Sequence, residues 1–156
     1  MYTLLPLLLL IGTLASGAFA IWKGDTAARV AGVLNLVNAV VLPLSRLLLI
    51  THTSEVLQLF GDFAWAIGLL LLAVRYASIW LGVTMLLQAT QFSLHAYYLV
   101  MERRPDLLHA WINNLDTLGI SICIVVGTAL AIRRRVLFDR EEAELQARRQ
   151  RFAAHA

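Results

Sequence analysis

Apolar runs of about 20 residues recur along this 156-residue chain, and that length matches the hydrocarbon core of a bilayer. Apolar residues make up 60% of the chain and the mean hydropathy is +0.73, where soluble domains run to about half apolar. The fold class this implies is all-α, a polytopic membrane helical bundle of about five transmembrane helices, expected near 2–21, 28–50, 57–74, 77–100 and 108–133. Breaks fall at "WKGDTAAR", "THTSEV", "VRYAS" and "MERRPD". The third break is the weakest, because only Arg75 and Tyr76 interrupt a run too long for one crossing. A four-span arrangement is the alternative.

Residues 1–135 read as the transmembrane bundle and 136–156 as a charged cytoplasmic C-terminal helix or tail. Within that tail Glu144 and Arg148 are spaced as an i,i+4 pair. It reads either as a solvated surface helix or as a docking helix for a partner or anionic headgroups. Lysine and arginine set the orientation. With the N-terminus outside, the inner side receives Lys23, Arg29, Arg75 and the Arg133–Arg135 triplet, and the outer side receives "THTSEV" and "MERRPD". Aromatic residues follow the same scheme: Trp22, Tyr76 and Trp80 at the inner interface, and Tyr2, Phe60, Tyr97, Tyr98 and Trp111 at the outer one. The expected location is therefore a bacterial inner membrane, multi-pass, with the N-terminus outside and the C-terminus cytoplasmic. "ASGAFA" resembles a signal-peptidase site, yet "MYTLLP" lacks a positive n-region, and cleavage would put the arginine triplet outside. The first span is accordingly expected to remain.

Polar residues inside the spans carry the functional signal. Thr84, Gln88, Gln91, His95, Tyr98 and Glu102 are separated by 4, 3, 4, 3 and 4 residues, a spacing that holds them on one helix face. In lipid such a stripe must face protein or a wet cavity. The second span has a looser version in Asn35, Asn38, Ser45 and His52, with Arg46 beside it and Pro43 expected to kink the helix. Gln58, Asp62 and Trp65 share one side of the third span. On the fifth, Asp116 shares a face with Gly119, Cys123 and Gly127, small residues that let helices approach closely. Residues 31–45 align with 81–95 so that Asn38 falls on Gln88, which points to a duplicated two-helix hairpin with the first span as an apolar addition.

Ordered by depth, Arg46, His52, Asp62, Gln91, His95, Asn113, Asn114 and Asp116 belong to the outer half, and Asn38 and Gln88 reach the middle. The pattern describes a polar vestibule open outward and closed inward by apolar packing. Its candidate binding residues are Asn38, Arg46, Asp62, Gln88, Gln91, His95, Asn113 and Asp116, with Arg46 placed to pair with Asp62 or Asp116. The expected function is binding or conduction of a small polar solute or ion, in a homo-oligomer or larger membrane complex. One alternative is a non-catalytic accessory or structural subunit whose first span and tail contact a larger membrane complex; the polar groups would serve only to hold the bundle together in a purely structural reading. Another is a b-type haem or metal protein using His52 and His95. No catalytic residue, cofactor or nucleic-acid partner is expected: the chain has no nucleophile elbow, HExxH pair, CxxC or phosphate loop. Its basic residues sit at span ends, and its single cysteine, Cys123, cannot form an internal disulfide.

Overall fold

The computed structural model describes residues 4–48 and 51–154, with side chains described throughout except at residues 42, 43, 45–48, 51–55 and 152–154. The described residues form five helices: α1 (Leu4–Lys23), α2 (Thr26–Leu48), α3 (Thr51–Tyr76), α4 (Ile79–Val100) and α5 (Leu107–Ala154). Among the described residues, α1, most of α3 and α5 are long and apolar enough to cross a membrane. The chain is thus a helical bundle of membrane-spanning character.

Each connection stops one helix and starts the next with ordinary cap chemistry. Asp25 accepts the backbone N–H of Ala28 at 2.9 Å and so caps α2. Gly24 just before it is obligatory, since a Cβ there would lie 2.4 Å from the carbonyl oxygen of Ala20. The expected hairpin at Arg75 and Tyr76 exists. Ala77, with φ at 46°, turns the chain between α3 and α4. At the end of α4, Arg103 N–H bonds the Tyr98 carbonyl at 3.0 Å and Glu102 N–H bonds that of Leu99 at 3.2 Å. This is a Schellman stop, with Glu102 (φ 49°) in the left-handed position that glycine usually fills.

Short connections make successive helices antiparallel, and the packing closes them into a ring: α1 on α2, α2 on α3, α3 on α4, α4 on α5 and α5 back on α1. Small residues set the closest approaches. Gly32 of α2 lies against Ala20 and the Gly17 carbonyl of α1. On α5, the face carrying Asp116 packs on α4, with Gly119 against Leu87 and Gly127 beneath the ring of Trp80. Trp80 is therefore a buried packing knob, 7% exposed, and not the interfacial aromatic expected of it. Tyr98 is likewise buried, whereas Trp22, Tyr76, Phe60, Tyr97 and Trp111 are exposed as the belt reading requires. Tyr2 lies outside the described residues.

The bundle is divided along its length. At the end reached by Lys23, Tyr76 and the start of α4, apolar side chains close the interior: Ala20, Ala27, Ala28, Leu69, Trp80, Leu81 and Ile124. Toward the other end the buried residues are polar, among them Asn35, Gln58, Asp62, Gln88 and Gln91. The outer surface inverts the soluble pattern, with leucines, isoleucines and valines of all five helices exposed. Apolar surface this extensive suits hydrocarbon as its solvent. The first span is no mere apolar addition, because Thr13, Ser16, Gly17 and Ala20 form a wall of the interior. Beyond the arginine triplet, α5 continues without interruption to Ala154 and is exposed as far as Arg151. At 1.5 Å per residue its 48 residues run about 70 Å, well over twice a bilayer core.

Candidate functional site

Two helix faces meet at the centre of the polar half. On α3, Gln58, Asp62 and Trp65 recur at helical spacing and all are buried. Opposite them on α4 stand Gln88, Gln91 and His95. His95 Nδ1 lies 2.5 Å from Asp62 Oδ2, and Gln88 Nε2 donates to Asp62 Oδ1 at 3.2 Å. The two α4 side chains thus take one carboxylate oxygen each, Gln88 through its amino group and His95 through Nδ1. The Gln58 amide faces His95 Nε2 at 3.4 Å. With its amino group committed, Gln88 turns its carbonyl oxygen the other way, and Oε1 is buried without a partner among the described residues.

Further bonds tie the remaining helices to this pair. Gln91 Nε2 donates to Asn113 Oδ1 at 2.8 Å, joining α4 to α5. Asn35 Nδ2 donates to the Thr13 carbonyl oxygen at 3.2 Å and lies 3.4 Å from Ser16 Oγ, joining α2 to α1. Thr13 and Ser121 hydroxyls meet at 3.4 Å. Interhelical bonds of this kind average roughly 0.6 kcal/mol in membranes.

Between these groups lies a partly enclosed cavity of about 500 Å³ to which every helix contributes. Thr13 comes from α1, Asn35 and Asn38 from α2, Gln58 and Trp65 from α3, Gln88 and Gln91 from α4, and Asn113, Asn114 and Thr117 from α5. Pro6, Leu9, Leu10, Ala39 and Ile120 complete an apolar wall. Seven lining side chains are carboxamides and none of the described lining residues is charged. The volume falls among ordinary small-molecule sites, roughly 300–1,000 Å³. Carboxamides both donate and accept, so the lining can exchange hydrogen bonds with a dehydrated polar molecule without imposing charge on it.

Of the residues expected from sequence, Asn38, Gln88, Gln91 and Asn113 line the cavity, and Asp62 and His95 stand directly behind Gln88 and Gln58. Asp116 is buried on α5, off the lining, with Oδ2 lacking a partner among the described residues. The side chains of Arg46 and His52 lie outside those described, as does that of Pro43, although α2 runs on as helix past it. Two placements are corrected. "THTSEV" is not a loop: α3 begins at Thr51, so His52 belongs to α3 and not to the stripe of the second span. Glu102 leaves the stripe of α4, because the helix ends at Val100 and Glu102 is exposed in the connection. For the haem alternative, His95 is engaged by Asp62 and Gln58 and its ring packs 5.3 Å from that of His109. Among the described residues no group of three His, Cys, Asp or Glu side chains could hold a metal ion.

Above the cavity the connection from 101 to 106 is pinned to its neighbours. Asp106 Oδ1 accepts the Tyr98 hydroxyl at 2.6 Å and the backbone N–H of His109 at 2.9 Å, so it caps α5 and bridges to α4. The Tyr98 bond, then that N–H, hold the Asp106 carboxyl below its ordinary value near 3.8. Arg103 reaches the Tyr97 hydroxyl at 3.2 Å. The chain matches no family model, no curated protein and no solved structure with which it was compared.

Proposed function

We propose that all five helices cross a bacterial inner membrane, N-terminus outside, and that the cavity binds or conducts a small polar solute entering from the outer side. The observation that carries this reading is the convergence of seven carboxamides from four helices on one cavity of solute size. Pure structural glue would be bonded throughout. Asn38 and Asn114 are instead only half-buried, and no bond to another described side chain satisfies them. The sidedness rests on the arginines at 133–135 and on the apolar closure at the same end. A duplicated hairpin belongs to the same proposal, since the matched residues Asn38 and Gln88 both reach the lining. The exposed helix beyond Arg135 favours a second role, attachment to a partner or to a second copy within a larger complex.

Thiol chemistry in lipid nanodiscs tests the cavity. With Cys123 replaced by alanine, Asn38→Cys and Asn114→Cys should react with a small water-soluble methanethiosulfonate. Leu118→Cys, on the exposed apolar face of α5, should react at least tenfold more slowly. Equal, slow reaction at all three positions would mean a dry, purely structural interior.

A further inference from the structure

Two residues that line the cavity each keep one buried polar atom without a partner among the described residues. The Trp65 indole Nε1 is buried and has no acceptor among the described residues. The Gln88 carbonyl oxygen Oε1 is buried and has no donor. Both residues line the same cavity, with Trp65 5% exposed and Gln88 fully buried. An indole N–H can only donate and a carbonyl oxygen can only accept. Leaving either unsatisfied is costly, so a ligand that meets both recovers that cost on binding.

Gln88 Nε2 donates to Asp62 Oδ1 while His95 takes the other carboxylate oxygen, and this arrangement leaves Gln88 Oε1 as the free end of the amide. Asp62 and His95 are thus bonded to each other behind the cavity wall, and none of the described residues that line it is charged. An anion or cation entering would lose its hydration shell without gaining a counter-charge from the described lining, which is costly.

Resting on the reading of the cavity as a binding site, we propose that its ligand is an uncharged molecule presenting a hydrogen-bond acceptor to the Trp65 indole and a donor to the Gln88 carbonyl. A carboxamide on a compact apolar body is the simplest group that carries both. The apolar part would rest against Leu9, Leu10 and Ile120, which supply the greasy wall of the same cavity.

The isosteric series 4-fluorobenzamide, 4-fluorobenzoate and 4-fluorobenzamidinium isolates this claim. All three share size and shape. The first offers donor and acceptor without charge, the second only acceptors with negative charge, the third only donors with positive charge. Indole N–H resonances of the tryptophans, with Trp65 assigned by its loss in Trp65→Phe, report contact directly. The amide should shift the Trp65 resonance saturably in the millimolar range, and the two ions should bind at least tenfold more weakly. Fluorine spectra should show the amide weakened about tenfold by Trp65→Phe, which keeps an aromatic ring and the parent's circular dichroism. Tighter binding of either ion, with the Trp65 shift present, overturns the ligand class and leaves the binding-site reading standing. An amide that binds equally well to a folded Trp65→Phe overturns the assigned contact. If none of the three perturbs Trp65, the binding-site reading fails together with the inference.

Discussion

Asp62, fully buried behind the cavity wall, has both carboxylate oxygens occupied by α4, one by His95 and one by Gln88. Its removal therefore does more than delete one bond. Asp62→Leu leaves the His95 N–H and the Gln88 amino group buried with no acceptor, at about 1–3 kcal/mol. His95→Leu alone should cost less, because Asp62 keeps Gln88. Thermal unfolding in detergent should show the double variant less destabilised than the sum of the singles by at least about 0.5 kcal/mol. Additive losses would mean the two side chains are not coupled. Much of this cluster was legible in sequence: the 4-3-4-3 spacing of α4 and the Gln58–Asp62–Trp65 spacing of α3 each put their polar residues on one face. What spacing cannot reveal is pairing across helices. Hence Asp62 was expected against an arginine and is found with a histidine, and Trp65 and Gln58 were not foreseen as cavity residues.

At the scale of the element, the connection between α4 and α5 holds the rim by three devices: the Schellman stop, the Asp106 cap and the Tyr98 bridge. Because the Asp106 carboxyl titrates lower folded than unfolded, its contribution is complete above the ordinary carboxylate value. It is lost as pH falls through the lower, folded one. The melting temperature should accordingly drop by a few degrees as pH falls below about 4. Asp106→Asn, which can still cap α5, should remove that part of the acid sensitivity, and Asp106→Ala should lower the melting temperature at neutral pH as well. An unchanged acid profile in Asp106→Asn would contradict this role. The cap went unread inside the break "MERRPD", and "THTSEV" misled in a second way. A cluster of threonines, a serine and a glutamate suits a helix's first turns as well as it suits a loop, and here it opens α3. Trp80 misled for a different reason. An aromatic at a helix end looks interfacial until the glycine that accommodates it, Gly127, 47 positions on, is known to lie beneath its ring.

Across the whole molecule, five helices closed in a ring put their apolar surfaces outward and their carboxamides inward, with the interior sealed at the end where the arginine triplet emerges. The proposed function requires this polar interior to be wet and to be entered from the side opposite those arginines. A membrane-impermeant, charged thiol reagent applied to intact cells tests it directly, in a Cys123→Ala background carrying either Asn114→Cys in the cavity or Glu142→Cys on the extension of α5. Asn114→Cys should be labelled from outside, and Glu142→Cys should be labelled only after the cells are permeabilised. Labelling of Glu142→Cys in intact cells, with Asn114→Cys silent until permeabilisation, would contradict it.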